Sequence, residues 1–298
     1  MSVVRSLLAL CLLLLAAAAG FLGLGAHWVH TAATTSGPLV AIMAPVPSDE
    51  DVVAAIKETL VSEVTSRIPP AAAAVPGASE ALLRAITVGV DATVTDERFT
   101  TAWTDTVDLS RERFVADLGS FADDGVEVPT LWLDLTPFAD LGRTVIYEQT
   151  APALHRLLDQ IPWPEEVTVA LGRPEDRTAR LAAEGLSVAS SWPLFYGAAA
   201  LLTALGLAVG SRRGRWVALI GAAVVSLVVL LAGWTVVGRI RPADAGTLAG
   251  AVKQALLSGT AESLAEFAAP AWFVVIGALI VGVLGLTVAG LRSERRAS

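Results

Sequence analysis

Residues 192–237 read WPLFYGAAALLTALGLAVGSRRGRWVALIGAAVVSLVVLLAGWTVV. Two apolar runs, 192–210 and 216–237, contain no charged residue, and Ser211, Arg212, Arg213, Gly214 and Arg215 join them. Each is long enough for a hydrocarbon core that needs ~20 helical residues. Backbone amides find no water in lipid, so a helix is the conformation expected of both. The stretch therefore predicts a helical hairpin in a membrane, with three arginines on its turn. Two further uncharged runs complete the set, one at the N-terminus within residues 1–26 and one at 271–291.

The flanks orient these four spans. Arg5, Arg212, Arg213, Arg215, Arg292, Arg295 and Arg296 fall on one side, opposed by Glu294 alone. In the segment 238–270, Arg239, Arg241 and Lys253 are balanced by Asp244, Glu262 and Glu266. The positive-inside rule then places both termini in the cytoplasm of a plasma-membrane protein, with 27–191 and the loop 238–270 outside and 292–298 a cytoplasmic tail. Trp28, Trp192, Trp216, Trp234 and Trp272 lie at the expected span ends, where an aromatic belt belongs. The first apolar run exceeds the ~7–15 residues of a secretory signal core, so it reads as an uncleaved anchor.

Composition agrees. The chain of 298 residues is 54% hydrophobic and only 17% charged, with a net charge of −8. That excludes an ordinary soluble globule, which carries roughly 25% charged residues. Residues 26–191 hold 25 acidic against 11 basic side chains. So acidic a segment argues against nucleic acid as a partner, because phosphate binding wants clustered Lys and Arg. One cysteine, Cys11, excludes a disulfide framework.

The segment 27–191 reads as an α+β domain, mostly helices with a small sheet. Residues 32–47 read as a linker. Ser48 is the expected cap of a helix with an acidic first turn (Asp49, Glu50, Asp51) and Val52, Ile56, Leu60 and Val64 on its apolar face. Pro69 and Pro70 end it, 71–77 is a loop, and Ser79 opens a second helix through Leu82, Leu83 and Ile86. Thr95 with Asp96 starts a third, carrying Phe99, Trp103, Val107, Phe114 and Leu118. Asp124-Gly125 signals a turn, and 126–135 alternates as a strand. Thr136-Pro137 is the expected next helix start, leading toward Gln160 with a break at Pro152. A second strand is expected at 167–171, and a helix from Pro174 runs into the second span with at most a bend near Pro193.

Five short matches carry a family resemblance: Phe99-x-x-x-Trp103, Leu118-Gly119, Leu133-Asp134-Leu135-x-Pro137, Ile161-Pro162 and Arg212-Arg213. In this order, across residues 48–237, the chain resembles a group of uncharacterised integral membrane proteins of actinobacteria. These have an extracytoplasmic helical domain between the first and second transmembrane helices. The resemblance implies localisation and fold and supplies no activity. Members of the group have a histidine about seven residues after the tryptophan. Ser110 stands there in this chain, so no role for such a histidine carries over.

Candidate chemistry is sparse. His27 and His30 share a helical face, but a zinc site needs three or four ligands, and polar residues flanking a span explain the pair equally well. His155 with Asp159 four residues on has the spacing of an oriented base, or of a solvated helix pair. Asp49-Glu50-Asp51 and Asp123-Asp124-Gly125-x-Glu127 do not follow an EF-hand loop, and read as a helix start and a turn. Asp105, Asp108 and Glu112, with Arg111 and Arg113 beside them, read as a charged solvent face. Asp134 either faces water or pairs with an arginine such as Arg143. Gly206-x-x-x-Gly210 and Gly277, Gly282, Gly285 and Gly290 permit close helix packing, within or between chains. The spans contain no ionisable residue, which disfavours a pump or carrier and leaves a channel of oligomerised spans the weakest reading.

No catalytic, cofactor-binding or metal-binding residue is assigned from the sequence, and no cofactor is expected. The partners it implies are the lipid bilayer and a membrane protein or a second copy of the chain. The favoured reading is a non-enzymatic envelope protein whose outer domain binds a membrane partner or envelope component. The alternative is an enzyme or accessory subunit acting on an envelope lipid or glycan, using carboxylates such as Asp134 and Asp140 with His155. The loop 238–270 has a helix-like pattern (Leu248, Val252, Leu256, Leu264, Phe267) expected to pack against the outer domain.

Overall fold

The computed structural model describes residues 2–68, 78–125, 127–150, 155, 158–159, 162–237 and 248–294. Pro69 and Pro70, the expected loop 71–77, the break at Pro152, the run to Gln160, the segment 238–247 and residues 295–298 of the tail lie outside them. The chain is mainly α-helical with one two-stranded sheet. It separates into two compact units, one of Met1–Thr34, Glu184–Arg241 and Ala261–Ser298, the other of Thr35–Ala183 and Pro242–Thr260.

The first unit holds α1 (Ser2–Thr34), α8 (Trp192–Val209), α9 (Gly214–Val237) and α11 (Ala269–Glu294). All four lie in stretches long and apolar enough to cross a membrane, as in a multi-pass membrane protein. α1 has 33 residues and extends about 50 Å, well beyond the ~30 Å of a hydrocarbon core. It runs past the expected boundary at residue 26 because nothing before Gly37 breaks a helix. Thr31 and Thr34 donate their hydroxyls back to the carbonyls of His27 and His30.

Contacts fix the antiparallel register of α1 and α8. Ser6 and Ser211 have their hydroxyl oxygens 3.1 Å apart, and 21 residues along α1 His27 stacks on Trp192 with ring centroids 4.0 Å apart. Between these ends the helices touch at glycine: a Cβ at Gly206 would come 3.0 Å from Leu13 Cγ and 3.3 Å from the Ala9 carbonyl oxygen. Gly282 and Gly285 of α11 make room for Ile220 and Trp216 of α9 in the same way. These glycines thus serve packing within the chain. The helix from Pro174 does not run on into the second span. α7 (Asp176–Ala189) stops, and α8 begins after a two-residue turn, since Pro193 in the first turn of α8 has no N–H to continue a helix.

The second unit is built on α3 (Glu50–Ser66), α4 (Ala78–Thr95), α5 (Phe99–Asp124) and α6 (Thr136–Gln149), with β1 (Leu131–Asp134) antiparallel to β2 (Thr168–Gly172). The expected linker 32–47 contains structure: α2 (Gly37–Met43) packs on α5, and a 3-10 turn (Val46–Ser48) packs on α3. Met43 gives the reason, because its carbonyl accepts a hydrogen bond from the indole of buried Trp103 at 3.1 Å. Phe99, Trp103 and Phe138 form an aromatic core, and α4 crosses α6 with Gly89 against Ile146.

Caps differ from those expected. Asp49, not Ser48, caps α3, its carboxylate accepting from the Asp51 amide at 2.9 Å. Thr95 ends α4, and Asp96 accepts the Arg98 amide just before α5. Thr136 does not cap α6. Its hydroxyl accepts the Val167 amide, while Asp134 Oδ1 accepts the Thr136 amide at 3.0 Å. The strand expected over 126–135 is confined to four residues. The fourth helical stretch is longer than expected: α10 (Leu248–Phe267) precedes α11, and the apolar run spans Val252–Ala289. On α10, Val252 is buried and Gly259 lies against Ile42 of α2.

Candidate functional site

A groove of about 560 Å³ opens along α5 and α6 of the second unit. Arg98, Asp105, Asp108 and Asp140 line it, together with the apolar Ala102, Leu109, Pro137 and Leu141. Helical periodicity explains the arrangement. Trp103 and Val107 face the core, so Thr101, Asp105 and Leu109 face out along the opposite stripe of α5. Leu109 is 41% exposed, an apolar side chain among carboxylates.

The charges have distinct settings. Arg98 is held by Asp96 and Glu148, each at 2.8 Å. The Arg98 guanidinium and amide, both hydrogen-bonded to Asp96, lower its carboxyl from the usual 3.8 to about 2. The guanidinium itself is held protonated even more firmly than usual by Asp96 and then Glu148. Asp108 pairs with Arg111 at 2.6 Å. Outside the groove, Arg113 bonds Glu166 and lies over the Trp132 ring at 5.7 Å, and the bond to Glu166 raises its pKa.

The residues singled out in the sequence are placed as follows. Asp134 does not meet Arg143, whose guanidinium lies 5.9 Å over the Trp163 ring. Asp134 instead ties β1 to α6 through Thr136, and its amide donates to Ser110 Oγ at 2.9 Å. Ser110 thus joins α5 to β1. His155 is not oriented by Asp159. Its Nε2 lies 3.1 Å from the Tyr147 carbonyl oxygen and 3.0 Å from that of Thr150, at the end of α6, while Asp159 accepts the Tyr147 hydroxyl at 2.7 Å. Burial, and then that contact with Asp159, raises the Tyr147 pKa. His27 stacks on Trp192, and among the described residues no three His, Cys, Asp or Glu side chains gather as a metal site. Asp49 is spent as a cap, and Gly125 closes α5 in the left-handed region at φ 63°.

Sequence reasoning singled out Asp105 and Asp108 but missed their grouping with Arg98 and Asp140. Asp140 lies on a helix whose direction depends on the β1–α6 corner, and only the period of α5 was readable. A second cavity, about 390 Å³, lies among α1, α8, α9 and α11. Small side chains dominate it, among them Ala16, Gly20, Ala199, Ala222 and Ala278. Its hydroxyls at Thr203 and Ser226 donate to carbonyls of their own helices, so the surface it offers is apolar.

Compared with known proteins, the chain matches no family model, no curated protein and no solved structure.

Proposed function

We propose that this is a multi-pass plasma-membrane protein, akin to the actinobacterial group it resembles, that acts by binding rather than by catalysis. Its termini lie in the cytoplasm, and its second unit lies outside and engages a membrane protein or an envelope component. The observation that carries this reading is the groove on α5 and α6. It combines an exposed leucine with three carboxylates and an anchored arginine, a mixture suited to a partner surface that is part apolar and part basic. The groups that would serve as a base or nucleophile support have structural tasks instead: Asp134 accepts the Thr136 amide, His155 closes a helix end and Ser110 braces a strand.

The test is photo-crosslinking in native membranes from residues 105 and 109, with exposed Arg180 as the control position. One stoichiometric adduct from both groove positions, lost from position 109 in Asp105→Arg/Asp140→Arg and from position 105 in Asp140→Arg, is the expected result. Equal labelling from all three positions would overturn the assignment. Adducts to lipid or glycan that are consumed and released as altered product would move the protein to the enzymatic reading.

A further inference from the structure

At one end of the first unit the start of α1 and the turn from α8 to α9 are fastened together. Arg5 Nε donates to the Val209 carbonyl at 3.3 Å, Ser6 meets Ser211, and Ser211 Oγ accepts the Gly214 amide at 3.1 Å. The fit is close, since a Cβ on Gly214 would collide with Ser6 Oγ and one on Gly210 would sit 2.7 Å from Arg215 Cβ. Arg5, Arg212, Arg213 and Arg215 are thereby drawn to one place, and residues 1–26 and 192–237 contain no Asp or Glu. Guanidinium groups brought close repel one another, and the fold nonetheless holds Arg5 and Arg215 to the same turn.

Arg215 adds a second, independent feature. Its Nε is buried and makes no hydrogen bond among the described residues, although a buried donor left unsatisfied is costly. Its guanidinium lies 6.0 Å over the ring of Trp216, which α11 holds in turn, for a Cβ on Gly285 would collide with the Trp216 ring. Arginine, planar and five-donor, is the side chain that grips a phosphate by two bonds at once.

From this juxtaposition we infer that the end of the bundle formed by Arg5, Arg212 and Arg215 is a binding site for the phosphodiester headgroup of an anionic phospholipid. The phosphate oxygens supply the acceptor that Arg215 Nε lacks, and the acyl chains lie along the apolar faces of the same helices. The inference rests on these helices crossing a bilayer, and not on what the second unit binds.

The experiment uses the full chain in phosphatidylcholine vesicles containing a minor fraction of phosphatidylglycerol. Native mass spectrometry then counts the phosphatidylglycerol carried per chain. The wild type is expected to retain it in preference to phosphatidylcholine. Arg212→Gln and Arg215→Gln should each lower that preference about fivefold, as a charge near an anionic surface contributes ~1 kcal/mol. Arg215→Lys should lose as much as Arg215→Gln, because a point charge cannot replace the guanidinium fork. A lysine variant equal to wild type would show diffuse attraction and overturn the site. Displacement of the lipid by excess inorganic phosphate would assign the site to a free anion and overturn it equally. The pair Ser6→Cys/Ser211→Cys, added to each variant, reports the fold, since a disulfide between the two introduced thiols forms only where this end of the bundle is intact. A wild-type chain that fails to float with the vesicles would instead refute the membrane reading.

Discussion

Asp96, Arg98 and Glu148 show what a single side chain contributes to the second unit. Asp96 keeps its charge down to about pH 2 in the folded chain, but only to about pH 4 when unfolded. Its depressed pKa makes the pairing a stabilising one above pH 4, and that contribution disappears as the pH falls from 4 to 2. Thermal unfolding followed by circular dichroism should show a steeper loss of Tm over this range for the wild type than for Asp96→Asn. Trp103 acts through one donor. Trp103→Phe fills most of the same space but strands the Met43 carbonyl, and should cost ~1–3 kcal/mol in denaturant unfolding. Little of this was readable beforehand. Asp96 was legible as a helix-start residue, whereas Glu148, the second carboxylate on Arg98, lies 50 positions beyond that arginine and no local pattern connects them.

At the scale of elements, glycine decides which helices can touch. A Cβ on Gly89 would collide with Ile146 Cγ1 and lie 3.0 Å from Ile146 Cα, so α4 and α6 are closer than any other residue allows. Gly89→Ala should destabilise the chain by ~1–3 kcal/mol through overpacking. Ile146→Ala should relieve part of that in the double variant, with a coupling energy that unfolding titrations measure. In the first unit, Ser6→Cys/Ser211→Cys in a Cys11→Ser background should form a disulfide on mild oxidation. Gly206→Leu, which pushes α1 off α8 at Leu13, should abolish it, as gel mobility would show. The helices themselves were legible from apolar runs and prolines. Their ends were less so, because Asp49 takes the capping role that Ser48 offered, and Thr136 spends its hydroxyl on the Val167 amide, a partner 31 positions away.

For the whole molecule, four long apolar helices and a separate polar unit leave orientation as the property to test. If the arginine-rich turn faces the cytoplasm, a cysteine at position 212 should resist a membrane-impermeant maleimide in intact cells and react after lysis. A cysteine at position 105 should react in both. The reverse pattern would invert the protein and remove the outer-domain reading, while leaving the helix packing untouched.

The apolar runs, their arginine flanks and the mainly α class were determined by the sequence alone, because in a hydrocarbon medium the backbone has no alternative to the helix and a charge has nowhere to hide. Tertiary structure decided everything that depends on pairs of distant residues. It turned an apparent linker into α2 by giving Trp103 an acceptor at Met43. It sent Arg143 to Trp163 rather than to Asp134, and it drew Arg5 to a turn 204 positions further along the chain. Such pairings arise from the geometry of packed helices, where a donor takes whichever acceptor close packing brings within about 3 Å.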